Sequence, residues 1–183
     1  MSKYFYLSGI VFFLATVSLQ AQNKIKWNTW DEAIEKSKKV KKKIFVDIYT
    51  DWCGWCKKLD NTTFAENYIA KYINENYYPV KFNAEMKESV NLKGTEYKFV
   101  NNGRRGYHEL AAYLMQGRLS YPTVVFLDED LNLIQAIPGF QESDKLILAQ
   151  IAIRQLHGAG LLASTRIRLT LANKNNSTYK LTP

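Results

Sequence analysis

The pattern of apolar and polar residues predicts the first two elements of the chain. Thr29 and Glu32 have the spacing of a capping box, and the apolar residues that follow recur at helical intervals, so the sequence predicts a helix over 29–39. Residues 43–49 (KIFVDIY) are then a continuous run of β-forming residues, which is typical of a strand covered on both faces. The chain therefore begins its folded part with a helix followed by a buried strand.

The rest of the chain continues this alternation. After Cys56 a long helical pattern is predicted to bend near residues 61–63. Residues 85–106 are polar and are predicted to form a β-hairpin insertion, in which residues 90–92 and 97–100 are the strands and Lys93-Gly94 is the turn. The remaining predicted elements are strands at 78–83, 122–127 and 133–137 and helices at 109–115 and 143–156. A strand–helix–strand unit followed by an antiparallel pair predicts an α/β fold with a mixed central sheet flanked by helices.

The N-terminus has the pattern of an export signal. Lys3 precedes sixteen uncharged, mostly apolar residues (YFYLSGIVFFLATVSL), and Ala21 follows them, so residues 1–21 are predicted to be a cleaved signal peptide. The apolar run is shorter than the ~20 residues of a usual membrane-spanning helix, although an uncleaved signal anchor remains the alternative. We expect an exported protein, in the periplasm, with secretion or a membrane anchor as the other locations.

The positive charge is unevenly distributed. The chain of 183 residues has 25 Lys and Arg against 17 Asp and Glu, a net charge of +8, but residues 22–150 hold 19 basic and 17 acidic groups. Residues 151–183 contain five basic residues and no acid. We therefore expect a domain over 22–156 with a poorly defined basic tail at 157–183, and no nucleic-acid partner. Six lysines between Lys36 and Lys43 form either a solvated helix end or a groove for anionic partners.

The two cysteines must carry any cysteine chemistry together. Cys53 and Cys56 form a C-x-x-C pair, which fits a redox pair, half of a zinc site or two buried cysteines. Zinc needs about two further ligands, and the two histidines lack ligand spacing. Covalent haem attachment needs a His where Lys57 stands. No metal or organic cofactor is expected beyond a redox-active Cys53–Cys56 disulfide.

The position of the pair favours redox chemistry. Cys53 follows a buried strand and stands where a helix begins, and the N–H groups of a helix start stabilise a thiolate and lower the pKa of its thiol. Cys56 follows one helical turn later, where it can close a disulfide and attack a mixed disulfide on Cys53. Trp52 and Trp55 would flank the pair and contact a substrate.

Three further residues extend this candidate site. Asp47 lies in the middle of the buried strand, where a raised pKa would make it a proton acceptor for Cys56; the alternative is an Asp that turns to solvent. Lys81 on the neighbouring strand either pairs with Asp47 or is a surface lysine. Tyr121 precedes Pro122 at a strand start, where a cis bond would expose backbone to an extended substrate, although trans is the default.

Five short motifs together resemble the thioredoxin superfamily, in particular exported thioredoxin-like proteins and the C-terminal module of transmembrane thiol–disulfide interchange proteins. They are Phe45–Asp47, Trp52–Lys57, Val80–Asn83, Tyr121–Thr123 and Pro138–Gly139. The resemblance covers about residues 29–150 and implies the thioredoxin fold. It also implies protein thiols and disulfides as substrates, together with an electron donor that the sequence does not identify.

The resemblance assigns roles residue by residue. Cys53 would be the attacking thiol, Cys56 the resolving thiol, Asp47 the buried acid with Lys81 beside it, and Pro122 the cis-proline that docks substrate. Gly-Trp stands between the cysteines, where thioredoxin has Gly-Pro and disulfide isomerases have Gly-His. This difference favours reduction or interchange over oxidation.

Two alternatives remain open from the sequence. The protein could be a thioredoxin-fold chaperone or binding module with a structural disulfide, because a C-x-x-C pair alone does not establish catalysis. Within the insertion, Arg104, Arg105, Tyr107 and His108 either contact a partner or form part of an ordinary surface hairpin.

Overall fold

A computed structural model describes residues 23–103 and 105–158, with side chains described to residue 155. The predicted signal peptide at 1–21 lies outside the described residues, as does the predicted tail beyond residue 158. The last helix continues to Gly158, two residues past the predicted end of the domain.

The element order follows the prediction closely. The first strand has the predicted bounds, and the second begins one residue earlier than expected. The long helical pattern after Cys56 is divided by a short 3-10 turn at Thr63–Ala65 into two helices, which is the predicted bend. The helices are α1 Trp30–Lys39, α2 Gly54–Asn61, α3 Asn67–Asn76, α4 Glu109–Leu114 and α5 Ser143–Gly158, and the strands are β1 Lys43–Tyr49, β2 Tyr77–Asn83, β3 Val90–Leu92, β4 Thr95–Tyr97, β5 Phe99–Val100, β6 Tyr107–His108, β7 Thr123–Leu127 and β8 Leu133–Pro138.

The central sheet is mixed and has the order β2-β1-β7-β8. β1 runs parallel to β2 and antiparallel to β7, while β7 and β8 form the predicted hairpin. The register places Asp47 of β1 opposite Lys81 of β2 and Val124 of β7. This arrangement is the thioredoxin fold, and it brings the two charged residues of the candidate site side by side on neighbouring strands.

Alternation along β1 divides the core into two layers. Ile44, Val46 and Ile48 pack on one face with residues of α1 and α4. Phe45 packs on the other face with residues of α2, α3 and α5. Both faces of the sheet are thus covered by helices, so that the middle of β1 is shielded from water on both sides.

The start of α1 is fixed as the sequence predicts. The Thr29 side chain accepts a hydrogen bond from the Glu32 N–H (3.3 Å), and the Thr29 N–H donates to the Glu32 carboxylate (2.8 Å), which completes a capping box. The indole of Trp30 donates to the backbone oxygen of Asn91 at 2.9 Å. The helix is therefore tied at its start to the insertion that follows β2.

The insertion consists of two small β-pairs, not one hairpin. β3 and β4 pair through a turn at Lys93-Gly94, as predicted, with positive φ at both turn residues. The expectation that Phe99 and Val100 extend this hairpin is wrong, because β5 pairs with β6. Gly106 allows that pairing, since a Cβ there would meet the Phe99 ring and the Val100 backbone oxygen.

The lysine-rich stretch is mostly paired. Lys43 forms an ion pair with Glu129 (2.6 Å), Lys41 pairs with Asp130 (2.9 Å), and Lys36 donates to Asn28. These contacts favour the solvated helix end over the anion-binding groove. In the described part of the chain, no helix is both long and apolar enough to cross a bilayer.

Candidate active site

The two cysteines are joined in a disulfide at the start of α2. Cys53 occupies the N-cap position, and its sulfur accepts a hydrogen bond from the Cys56 N–H at 3.0 Å. The Cys53 N–H in turn donates to the backbone oxygen of Thr50 (3.1 Å), which forms the turn between β1 and the helix. The Cys53 sulfur therefore sits at the helix end where backbone N–H groups are directed outward.

Both cysteines are buried: Cys53 is 5% exposed and Cys56 is 2% exposed. The first cysteine is the more accessible of the two, as expected for an attacking thiol followed by an enclosed one. Two large side chains, at positions 52 and 55, stand next to these buried cysteines in the chain.

Those side chains are the tryptophans that flank the pair, and both are half exposed. Trp52 is 50% exposed and lies edge-on to Tyr121, with 5.9 Å between ring centroids. Trp55 is 57% exposed and leans on Phe140 at 5.7 Å, with the ammonium of Lys58 over its ring at 4.7 Å. Two half-exposed indoles thus lie next to the cysteines in the chain, one packed against Tyr121 and the other against Phe140.

The Tyr121–Pro122 peptide bond is cis, in contrast to the trans default for an X-Pro bond and in agreement with the family resemblance. The backbone oxygen of Pro122 accepts a hydrogen bond from the Gly139 N–H at 2.8 Å. The contact between Tyr121 and Trp52 brings this loop next to the residue that precedes Cys53. Tyr121 therefore lies against the side chain of the residue that directly precedes Cys53.

Asp47 is enclosed in the middle of β1, with 1% of its surface exposed. One carboxylate oxygen accepts a hydrogen bond from the Lys81 ammonium at 2.6 Å, while the other oxygen has no hydrogen-bond partner. Burial raises the pKa of Asp47 to about 6, because the loss of hydration outweighs the opposing attraction of Lys81. Asp47 therefore does not turn to solvent.

A second carboxylate completes this charge cluster, and the sequence reasoning missed it. Asp60 of α2 also contacts the Lys81 ammonium. Burial lowers the pKa of Lys81, but the carboxylates of Asp47 and Asp60 together outweigh it and raise the pKa. Asp60 lies four residues after Cys56, so the two share one face of α2. That spacing was the signal available in the sequence, and it shows that the Cys56 side of the helix faces Asp47 and Lys81.

The insertion also reaches the site. Trp52 donates its indole N–H to Glu85 (3.0 Å), and the guanidinium of Arg105 lies over the Trp52 ring at 4.2 Å. His108 does not make the partner contact considered from the sequence, because it is fully buried, packs edge-on to Phe82 and caps α4. Of the insertion residues considered from sequence, Arg105 is the one that contacts Trp52, the neighbour of Cys53. Arg104 lies outside the described residues.

No metal-binding cluster is formed by the described residues, among which no group of three or more His, Cys, Asp or Glu side chains could hold a metal ion. The chemistry that the site offers is that of one disulfide, one buried acid and one lysine shared between two carboxylates.

Comparisons with known proteins agree with this geometry. The family model Thioredox_DsbH, described as a protein of unknown function, DUF255, matches residues 15–154. An uncharacterised protein of Caenorhabditis elegans is 27% identical over 125 residues, which cover 68% of this chain and 15% of the worm protein. The chain therefore spans only about one seventh of that relative's length.

Solved structures give the same fold. A structure described as DsbH oxidoreductase is 17% identical with a TM-score of 0.50, covering 78% of this chain and 87% of that one. A thioredoxin from Thermus thermophilus is 13% identical with a TM-score of 0.56, covering 75% of this chain and 92% of that one. At these identities the structural likeness supports the thioredoxin fold, and the chemistry has to be argued from the site.

Proposed function

We propose that this chain, which belongs to the Thioredox_DsbH (DUF255) family, is an exported thiol–disulfide oxidoreductase that reduces or exchanges protein disulfides. The observation that carries the proposal is the Cys53–Cys56 disulfide at the start of α2, on the helix face that also meets Asp47 and Lys81. A merely structural disulfide has no need of a buried acid with a raised pKa that is linked through Lys81 to Asp60 on the helix of the disulfide.

The first step begins from the reduced dithiol. The thiolate of Cys53, stabilised by the N–H groups at the start of α2, attacks one sulfur of a client disulfide. A bond forms between Cys53 and that sulfur, the client's own sulfur–sulfur bond breaks, and the second client sulfur leaves as a thiolate that takes a proton from water. The exposed indoles of Trp52 and Trp55 and the backbone at Tyr121 hold the client chain during this step.

The second step releases the client. The Cys56 thiol passes its proton to Asp47 and attacks the Cys53 sulfur, so that the Cys53–Cys56 disulfide forms and the remaining client sulfur departs as a thiolate. Two electrons have then moved from the dithiol to the client. Asp47 suits this transfer because burial raises its pKa to about 6, close enough to neutrality for it to take and return a proton.

The cycle closes when an external dithiol reduces the Cys53–Cys56 disulfide by the same exchange in reverse. The Gly-Trp pair between the cysteines contains no histidine to stabilise the Cys53 thiolate strongly, which favours reduction or interchange over oxidation. Client proteins exposed to an oxidising compartment are the expected substrates, in keeping with the export signal that the sequence predicts at the N-terminus.

The proposal is tested with two serine variants and insulin as the client. Cys53→Ser should abolish insulin reduction, because no attacking thiolate is left. Cys56→Ser should accumulate a covalent mixed disulfide that non-reducing electrophoresis reveals, because the resolving thiol is missing. Normal insulin reduction by Cys53→Ser would refute the enzyme assignment.

A second candidate is a thioredoxin-fold binding module with a non-catalytic disulfide, which the low exposure of both cysteines favours. Alkylation of the reduced protein at a series of pH values separates the two. A single thiol that reacts below the usual cysteine pKa supports the enzyme, whereas two thiols that react slowly at every pH support the binding module.

A further inference from the structure

A groove of about 380 Å³ opens between the turn before Cys53 and the outer part of the insertion. We call it the insertion groove. Its walls carry two acidic side chains, Asp51 and Glu85, and two basic ones, Lys87 and Arg105. Because Asp51 and Arg105 both adjoin Trp52, the groove continues directly from the surface that surrounds the disulfide.

The acidic and basic side chains of this groove differ in their partners. The carboxylate of Glu85 accepts from the Trp52 indole (3.0 Å), and that of Asp51 accepts from the side-chain amide of Asn83 (3.2 Å). Lys87 and Arg105, in contrast, lie against aromatic rings and have no acidic partner within the described residues. The two cations are therefore the groove side chains that remain available to an anionic acceptor.

Arg105 is the donor best placed to meet a client. Its guanidinium stacks on Trp52 at 4.2 Å, which holds the plane of the group in place while its N–H edges stay available. Trp52 is itself fixed by Glu85 and Tyr121, and it directly precedes Cys53. Among the acceptors that a polypeptide offers, the two oxygens of a carboxylate match a planar, pre-oriented guanidinium best.

We propose that Arg105 binds an aspartate or glutamate side chain of the client polypeptide, so that the protein selects disulfides with an acidic residue close to the attacked cysteine. This inference rests on the proposed function and adds a substrate class to it. The guanidinium lies 4.2 Å from the ring of Trp52, the residue next to Cys53. An extended client chain advances about 3.3 Å per residue, so we place the acidic side chain within about three residues of the client cysteine.

The expected preference is modest because Arg105 is exposed to solvent. An exposed ion pair of good geometry corresponds to a preference of about threefold at low salt. The preference should shrink as salt is added, because exposed charges are screened. The net charge of the four groove residues is zero, so selection depends on the local contact with Arg105 and not on long-range attraction.

The experiment uses two disulfide-linked peptides that differ at one position, three residues from the cysteine, where one has aspartate and the other lysine. The ratio of their kcat/KM values is measured for the full chain and for Arg105→Glu. The unaltered chain should prefer the aspartate peptide about threefold, and Arg105→Glu should reverse the preference. Arg105→Gln should bring the ratio to about one, and it serves as a second variant if charge reversal impairs folding.

Arg154→Glu is the matched control. It makes the same change of charge on α5, next to Lys41–Lys43 and so at the opposite end of β1 from the disulfide. Its peptide ratio should equal that of the unaltered chain. An equal rate for both peptides in the unaltered chain, or a ratio that Arg105→Glu leaves unchanged, would overturn the role of Arg105 while the oxidoreductase assignment stands. Failure to reduce either peptide would overturn both proposals.

Discussion

Replacing Asp47 by asparagine should stabilise the oxidised protein at neutral and higher pH. In the folded state the pKa of Asp47 is about 6, against an ordinary value of 3.8. Between these two pH values the folded protein holds the proton more tightly than the unfolded chain does. The contribution of this group to stability is therefore largest below pH 4 and is lost as the pH rises through 6.

The magnitude follows from the difference between the two pKa values. At about 1.36 kcal/mol per pH unit, ionising Asp47 in the folded protein costs about 3 kcal/mol of stability above pH 6. Asparagine keeps an oxygen that can accept the hydrogen bond from Lys81 but removes the buried charge. The difference in unfolding free energy between the variant and the unaltered chain should therefore shift by about 2–3 kcal/mol in favour of the variant as the pH rises from 4 to 8.

Urea unfolding of both proteins in the oxidised state, at pH values from 4 to 8, measures this gain. Comparing the two proteins across pH cancels the constant cost of burying an amide, since that cost does not depend on protonation. Asp31→Asn, at an exposed carboxylate in the first turn of α1, controls for the loss of a surface charge. A stability difference that is the same at pH 4 and pH 8 would show that the burial of Asp47 does not carry the energetic cost we infer.

Two further variants test the neighbouring structure. Asp60→Asn should lower the pKa of Asp47, because the Asp60 carboxylate contributes to raising it. In the same unfolding series, the pH range over which stability is lost should therefore move to lower pH. An unchanged range would contradict the arrangement in which Asp47 and Asp60 share Lys81. Gly106→Ala should destabilise the protein by about 1–3 kcal/mol, since the added Cβ would lie 1.9 Å from the Phe99 ring and 2.4 Å from the Val100 oxygen. Amide exchange in β5 and β6 should then accelerate, and unaltered exchange would show that the strands tolerate the extra atom.

The local elements were predictable because each is defined by neighbouring residues. The run at 43–49 contains only β-formers apart from Lys43 and Asp47, and its bounds agree with those of β1. The capping box of α1 and the Lys93-Gly94 turn are likewise patterns a few residues long. In each case the interactions that form the element lie within the segment that predicts it.

The parts of the site that could not be predicted from the sequence depend on contacts between residues that are far apart in the chain. Lys81 and Asp60 are 21 positions apart. Trp52 and Arg105 are separated in the chain by α2, α3, β2 and most of the insertion. Phe99 had suitable strand propensity, but only the fold determines that it pairs opposite His108. Propensity identifies a strand without identifying its neighbour.

The insertion is divided into an anchored half and an adjustable half. Val90 and Leu92 lie in the main core, and the backbone of Asn91 holds Trp30, so changes there would disturb the whole protein. The other half is closed at its base, where the His108 N–H donates to the backbone oxygen of Ala84 at 2.6 Å, and residues 101–103 and Arg105 are exposed to solvent. The sequence of the outer loop can therefore change in evolution, and with it the choice of client, while the cysteine pair and the central sheet stay the same.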